Sequence, residues 1–275
     1  MSDSKFENID IPSRPLALME GRRGLIMGVA NSRSIAWGIA KTLYSYGAQL
    51  AFTYQSEALV KRVKPLATMV QSEVILPCDV EDNLSVEKVF SSLEEKWGSI
   101  DFVVHAIAYS DKDELKGRYI DTSQENFLRT LNISCYSFTN IARLAEPLMQ
   151  DGGALISLTF SGAERVMPNY NVMGIAKAAL EASIKYLAFD MGSKGIRVNA
   201  ISAGPMRTLA GSAISGSRNI FNFCQEHAPL KRDLSLDDIG GAALYLLSDL
   251  SASVTGEVHH VDSGYNIIGM PNPNH

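Results

Sequence analysis

Cysteine is scarce in this chain, with only Cys78, Cys135 and Cys224 among 275 residues. Their odd number and scatter exclude a disulfide framework. No two stand at metal-ligand spacing, so they read as small apolar residues in a reducing compartment. Long apolar runs are missing, and no segment is expected to cross a bilayer. The polar stretch from Met1 to Pro15 lacks the apolar centre of a secretory leader. There is no basic excess either: 25 Lys and Arg face 30 Asp and Glu, a formal net charge of −5. That balance excludes the phosphate-neutralising stripe of a nucleic-acid-binding protein, though not a small basic patch for an acidic partner. Repeats, low-complexity tracts and linkers are absent. The expectation is a cytoplasmic protein with an extension over 1–20, one domain over 21–270 and a tail over 271–275. Its 46% apolar residues suffice for a full core.

What is present is an alternation of short β-rich runs and longer helical patterns. Strands are expected at Arg23 to Gly28, Gln49 to Tyr54, Glu73 to Leu76, Ile100 to Ile107, Ala154 to Thr159, Arg197 to Ser202 and Val258 to Val261. A helix starting about Ser34 carries Ile35, Ile39 and Leu43 at four-residue steps, with Gly47 as its stop. Ser235 and Asp238 form a capping box. Behind it Leu236, Ile239, Ala243, Leu247 and Leu250 make one apolar stripe. The alternation predicts an α/β fold of Rossmann type: a doubly wound, parallel, seven-stranded sheet with helices on both faces, in a single domain.

The strand-to-helix turn from Gly28 to Gly38 has the small residues that let backbone amides approach a pyrophosphate at a helix N-terminus, and Ser34 offers a hydroxyl donor. It lacks the three-glycine fingerprint, and an ordinary tight turn would read the same way. After the second strand come Gln55, Ser56 and Glu57, neither the acid that selects NAD nor the base that selects NADP. An amide can bond ribose hydroxyls and Glu57 would repel a 2′-phosphate, so NADH is favoured over NADPH. Asp79 could receive an adenine amino group, or be a plain loop carboxylate. His105 reads as a packed or cofactor-adjacent residue rather than a base. His259 and His260 alternate faces of a strand, so no metal site is expected.

Tyr170 and Lys177 stand seven residues apart, close to two helical turns, so both can face one cleft. A phenol stays protonated at neutral pH and can donate a hydrogen bond. With Gly162-Ala163-Glu164-Arg165 and Pro168-Asn169-Tyr170-Asn171-Val172-Met173-Gly174 ahead of Ala176-Lys177, the stretch closely resembles the bacterial enoyl-acyl-carrier-protein reductases. These belong to the short-chain dehydrogenase/reductase superfamily and place six residues between tyrosine and lysine. The resemblance runs from Gly21 to Tyr265, through Ala51-Phe52-Thr53-Tyr54-Gln55, Cys78-Asp79-Val80, Arg197 to Pro205 and Gly256-Glu257-Val258.

The resemblance implies an NADH-dependent reduction of the trans-2 double bond of an enoyl thioester on acyl carrier protein, in fatty-acid elongation, by a homotetramer. Tyr170 would bond the thioester carbonyl and Lys177 the nicotinamide ribose. Gly28, Ser34, Ile35, Gln55, Asp79, Val80, Ile107 and the run Met206, Arg207, Thr208, Leu209, Ala210 match the family's cofactor positions. Ala108, Ser110, Tyr170, Met173 and Ile214 would face substrate, under a mobile loop over 208–219. Phe160 stands where the family has a second tyrosine, keeping a ring without a donor, and activity is expected to survive. Arg218 and Arg207 are what remains of a basic docking patch for the carrier. Two other readings stand beside this one: a 3-ketoacyl reductase of the wider superfamily, against the Tyr–Lys interval, and a non-catalytic NADH-binding regulator.

Overall fold

The computed structural model describes residues 17–209, 211 and 216–270. Seven strands form one sheet: β1 (Arg23–Met27), β2 (Gln49–Tyr54), β3 (Val74–Pro77), β4 (Phe102–His105), β5 (Gly153–Thr159), β6 (Ile196–Ala203) and β7 (Val258–Val261). Their order is β3-β2-β1-β4-β5-β6-β7, and every pairing is parallel. Parallel neighbours need crossovers, and the helices supply them: α1 (Ile35–Ser45), α2 (Glu57–Met69), α3 (Asn83–Trp97), α4 (Gln124–Leu131), α5 (Ser137–Ala145), α6 (Asn171–Gly192), α7 (Ser217–His227) and α8 (Leu236–Leu247).

Side chains alternate across the sheet because the strand period is two. On one face Ile26, Phe102, Val104, Ile156 and Ile201 pack with α1, α2 and α8. On the other Leu25, Met27, Val103, Leu155 and Val198 pack with α3, α5 and α6. Both faces are covered, as the strands' nearly continuous apolar runs require. Strand order switches between β1 and β4, the chain building outward to β3 on one side and to β7 on the other, and ligand sites in such sheets form beyond the strand C-termini at that point.

The element ends depart from expectation in places. β4 stops at His105, so Ile107 belongs to the following loop. The capping box is present, but α8 ends at Leu247, and Leu250 sits in a following 3-10 turn, exposed, outside the stripe. The expected extension is folded in at its end: Met19 is fully buried and its amide donates to the Tyr46 carbonyl. All three cysteines are free and buried. Among the described residues no helix is long and apolar enough to cross a membrane.

Candidate active site

The turn after β1 is shaped by Gly28, at φ +98°, where any Cβ would fall on the Ala106 carbonyl of the loop after β4. Its second device is Ser34. Its Oγ accepts the amides of Ala30 (3.0 Å) and Asn31 (3.1 Å) and makes no side-chain cap on α1. The loop is thereby curled back, and the first amides of α1, including that of Ile35, stay outside the helix's own bonding. Such a helix end favours an anion, so glycine, curled loop and helix terminus together fit a dinucleotide pyrophosphate. Gln55 and Asp79 come together at the ends of β2 and β3, Nε2 to Oδ2 at 3.4 Å, with Val80 beside them.

The catalytic candidates hang on β5 and α6. Tyr170 is the residue just ahead of α6 and Lys177 lies in its second turn, both buried. Lys177 Nζ donates to the Leu158 carbonyl at 2.7 Å, which holds the ammonium against the end of β5. Burial lowers its pKa to about 8, against the pull of Cys135 and Glu181. Burial pushes the Tyr170 phenol the other way, above its usual range, and the charge of Glu181 adds to this. The phenol therefore stays protonated, with its proton available for a hydrogen bond. Phe160 meets it edge-on, with ring centroids 5.2 Å apart at 68°. Gly162 is small for a reason: a Cβ there would run into the Tyr170 ring. Gly174 in turn admits the Gly162 carbonyl, 2.7 Å from where its Cβ would lie.

Around Tyr170 a small apolar cluster gathers Leu115, Met167, Val172 and Met173, with Phe160 and Ile220 of α7 against it. Met173 is thus packed in the same cluster as Tyr170. Ala108 is exposed, while Ser110 is buried in a polar knot with Asn126 and Thr130, Thr130 donating at 2.9 Å. Met206 and Arg207 line a cavity of about 150 Å³ with Phe221, Cys224 and Ser263. Thr208 is half-buried and Leu209 exposed; Ala210 and Ile214 lie outside the described residues, and α7 begins within the expected loop at Ser217.

Two side chains near Lys177, Thr159 and Glu181, escaped the sequence reading, while His105 did not. Thr159 Oγ1 donates to Glu181 at 2.6 Å, and Glu181 stands one helical turn beyond Lys177, a spacing that was there to be read. His105 is wholly buried. Ser137 donates to the Ile133 carbonyl (2.6 Å) and Ser157 to the His105 carbonyl (3.2 Å), and the His105 ring bridges the two hydroxyls, Nε2 to Ser137 (2.9 Å) and Nδ1 to Ser157 (3.0 Å). Burial, and then the charge of Lys177, lower its pKa to about 3, so it stays neutral and is no base. His259 and His260 part to Glu257 and Glu164, and the described residues hold no cluster able to bind a metal ion.

Three comparisons bear on this geometry. A family model described as enoyl-(acyl carrier protein) reductase matches residues 28–266. An enoyl-acyl-carrier-protein reductase (NADH) of Rhizobium meliloti strain 1021 is 65% identical over 254 residues, 92% of this chain and 95% of the relative. Among solved structures, the reductase of Anaplasma phagocytophilum in complex with NAD superposes with a TM-score of 0.90 at 59% identity, covering 93% of this chain and 97% of its own. The Bacillus cereus reductase, solved with NADP+ and an indole naphthyridinone, gives 0.90 at 48% identity, covering 92% and 99%.

Proposed function

This chain belongs to the enoyl-(acyl carrier protein) reductase family, and on that premise we propose that it reduces the trans-2 double bond of an enoyl thioester on acyl carrier protein, with NADH, in fatty-acid elongation. The observation that carries this reading is the Tyr170–Lys177 pair at the start of α6, each side chain buried, the phenol kept protonated and the ammonium held on the Leu158 carbonyl of β5. When bound, NADH supplies the hydride that the β-carbon receives. Gly28, Ser34 and Ile35 would hold its pyrophosphate, Gln55, Asp79 and Val80 its adenosine, and Lys177 its nicotinamide ribose. Ile107 and the described part of the run, Met206 to Leu209, would complete the cradle.

Tyr170 donates its hydrogen bond to the thioester carbonyl, where negative charge grows as the enolate forms, and a donor fixed in advance lowers that barrier. Phe160 walls the ring and offers no second donor, so Tyr170 carries the polarisation alone. The Lys177 ammonium adds positive charge nearby. The enolate then takes a proton at its α-carbon. Ala108, Ser110, Met173 and Ile214 would flank the acyl chain. Arg207 and Arg218, both exposed, would meet the acidic carrier. We assign the protein to the cytoplasm and to a homotetramer. The latter is supported by Tyr186 and Phe189, 75% and 86% exposed on the outer face of α6, the kind of apolar surface that subunits cover.

The deciding assay follows NADH oxidation with a trans-2-enoyl thioester, beside a 3-ketoacyl thioester and an NADPH control. Turnover with the enoyl substrate alone is expected, falling on the order of 100-fold or more in Tyr170→Phe. Turnover with the keto substrate alone would assign the chain to the wider dehydrogenase group. NADH binding without either would favour a regulator.

A further inference from the structure

Two loops that the proposed reading gives to different ligands are held by one side chain. Glu81 follows Asp79 by two residues and donates its amide to the Asp79 carboxylate at 3.0 Å, the same carboxylate that receives Gln55. Both Glu81 oxygens accept from Arg129 of α4, at 2.9 Å from Nε and 2.8 Å from Nη2. A two-pronged contact of this kind fixes the plane of the guanidinium as well as its place. That plane lies over the ring of Tyr109, 4.5 Å from its centroid, with Nη1 3.5 Å from the phenol oxygen. Tyr109 stands between Ala108 and Ser110.

The main chain of Tyr109 is clamped from the turn that follows α4. Beyond α4 the chain winds through a π-helical turn, Asn132–Tyr136, before α5. The wider turn presents Ser134, whose Oγ accepts the Tyr109 amide at 3.0 Å and donates to the Tyr109 carbonyl at 3.1 Å. Arg129 thus closes a polar strap, Gln55–Asp79–Glu81–Arg129–Tyr109, from the ends of β2 and β3 to the loop after β4. In the sheet, β1 lies between the ends it joins.

We propose that Arg129 is a positioning residue which, through Glu81 and Tyr109, couples occupancy of the adenosine end to the setting of the substrate loop, so that NADH and the acyl thioester each tighten the binding of the other. The inference rests on the site assignments proposed above. It predicts a reciprocal effect, since coupling between two ligands is one free energy seen from either side.

The test is a fluorescence titration of the full chain with NADH, alone and with a saturated acyl thioester, which binds but cannot accept hydride. In the wild type the thioester should lower the NADH Kd roughly fivefold or more. In Glu81→Gln and in Arg129→Ala that ratio should fall to about one, while the Kd for NADH alone moves less than about twofold. KM for the enoyl thioester should rise with kcat and Tm near the wild type, and the double variant should be no worse than either single one. Arg129→Lys keeps the charge and loses the fork, and should stay uncoupled. A wild-type ratio of one, or variants that retain the wild-type ratio, would overturn the proposal. A wild type inert towards enoyl thioesters would remove the reading beneath it, and the proposal with it.

Discussion

Lys177 loses water on burial, and its ammonium gives up a proton near pH 8 where a free lysine holds on to about 10.5. Two consequences have opposite signs. Activity that needs the ammonium declines as pH rises through about 8, so kcat/KM should show a basic limb there. Stability of the cofactor-free protein moves the other way. Between the two pKa values the unfolded chain binds more protons, so the native state gains as pH climbs through that window. Tm of wild type relative to Lys177→Met should therefore rise from pH 8 to about 10.5. Parallel curves for the two proteins would refute the buried, displaced ammonium. Tyr170 and Lys177 were legible as a pair from their spacing and motif. Thr159 and Leu158 were not, because their roles arise where β5 meets α6, some twenty residues later in the chain. Ser34 was singled out as a hydroxyl donor, and its oxygen also accepts two amides of its own loop. Its hydroxyl serves the loop before it, and nothing in the local sequence distinguishes that from an ordinary cap.

Elements were easiest to read where local chemistry sets them. Ser235 and Asp238 opened α8 as a capping box must, and β2 and β7 fell at their expected residues. The π-helical turn left no sequence mark, since its widening depends on where Ser134 and Ser137 find partners in β4 and its loop. The 3-10 turn Ser161–Ala163 packs on the start of α6 with Gly162 against the Tyr170 ring, which makes it a sensitive joint. Gly162→Ala should displace the Tyr170 ring and cut kcat on the order of 100-fold, as small misplacements of a reacting group do, with NADH affinity and circular dichroism little altered. An unchanged kcat would mean that the turn yields and does not set the ring.

At the scale of the molecule, alternation of strand and helix sufficed for the doubly wound sheet, because parallel neighbours admit few connections. Quaternary structure was less legible, since composition does not say where apolar side chains emerge. Tyr186 and Phe189 lie three apart on α6, so one helical face shows both. Light scattering should give four times the 29.9 kDa chain mass, and Phe189→Glu with Tyr186→Glu should shift it to smaller species. A wild-type monomer would refute the assembly.

The sheet's order also governs its making. β1 lies near the middle, yet its neighbour β4 is far along the chain: the Arg23 amide donates to the Asp101 carboxylate across 78 residues. At a synthesis rate of about 5–20 residues per second, β1 waits on the order of several seconds for that partner to leave the ribosome. During that interval Leu25, Ile26 and Met27, which end wholly buried, have only β2 beside them in the sheet. The nascent chain is then at its most exposed to aggregation, and chaperone contact at this stage would protect the strand that later carries the cofactor turn.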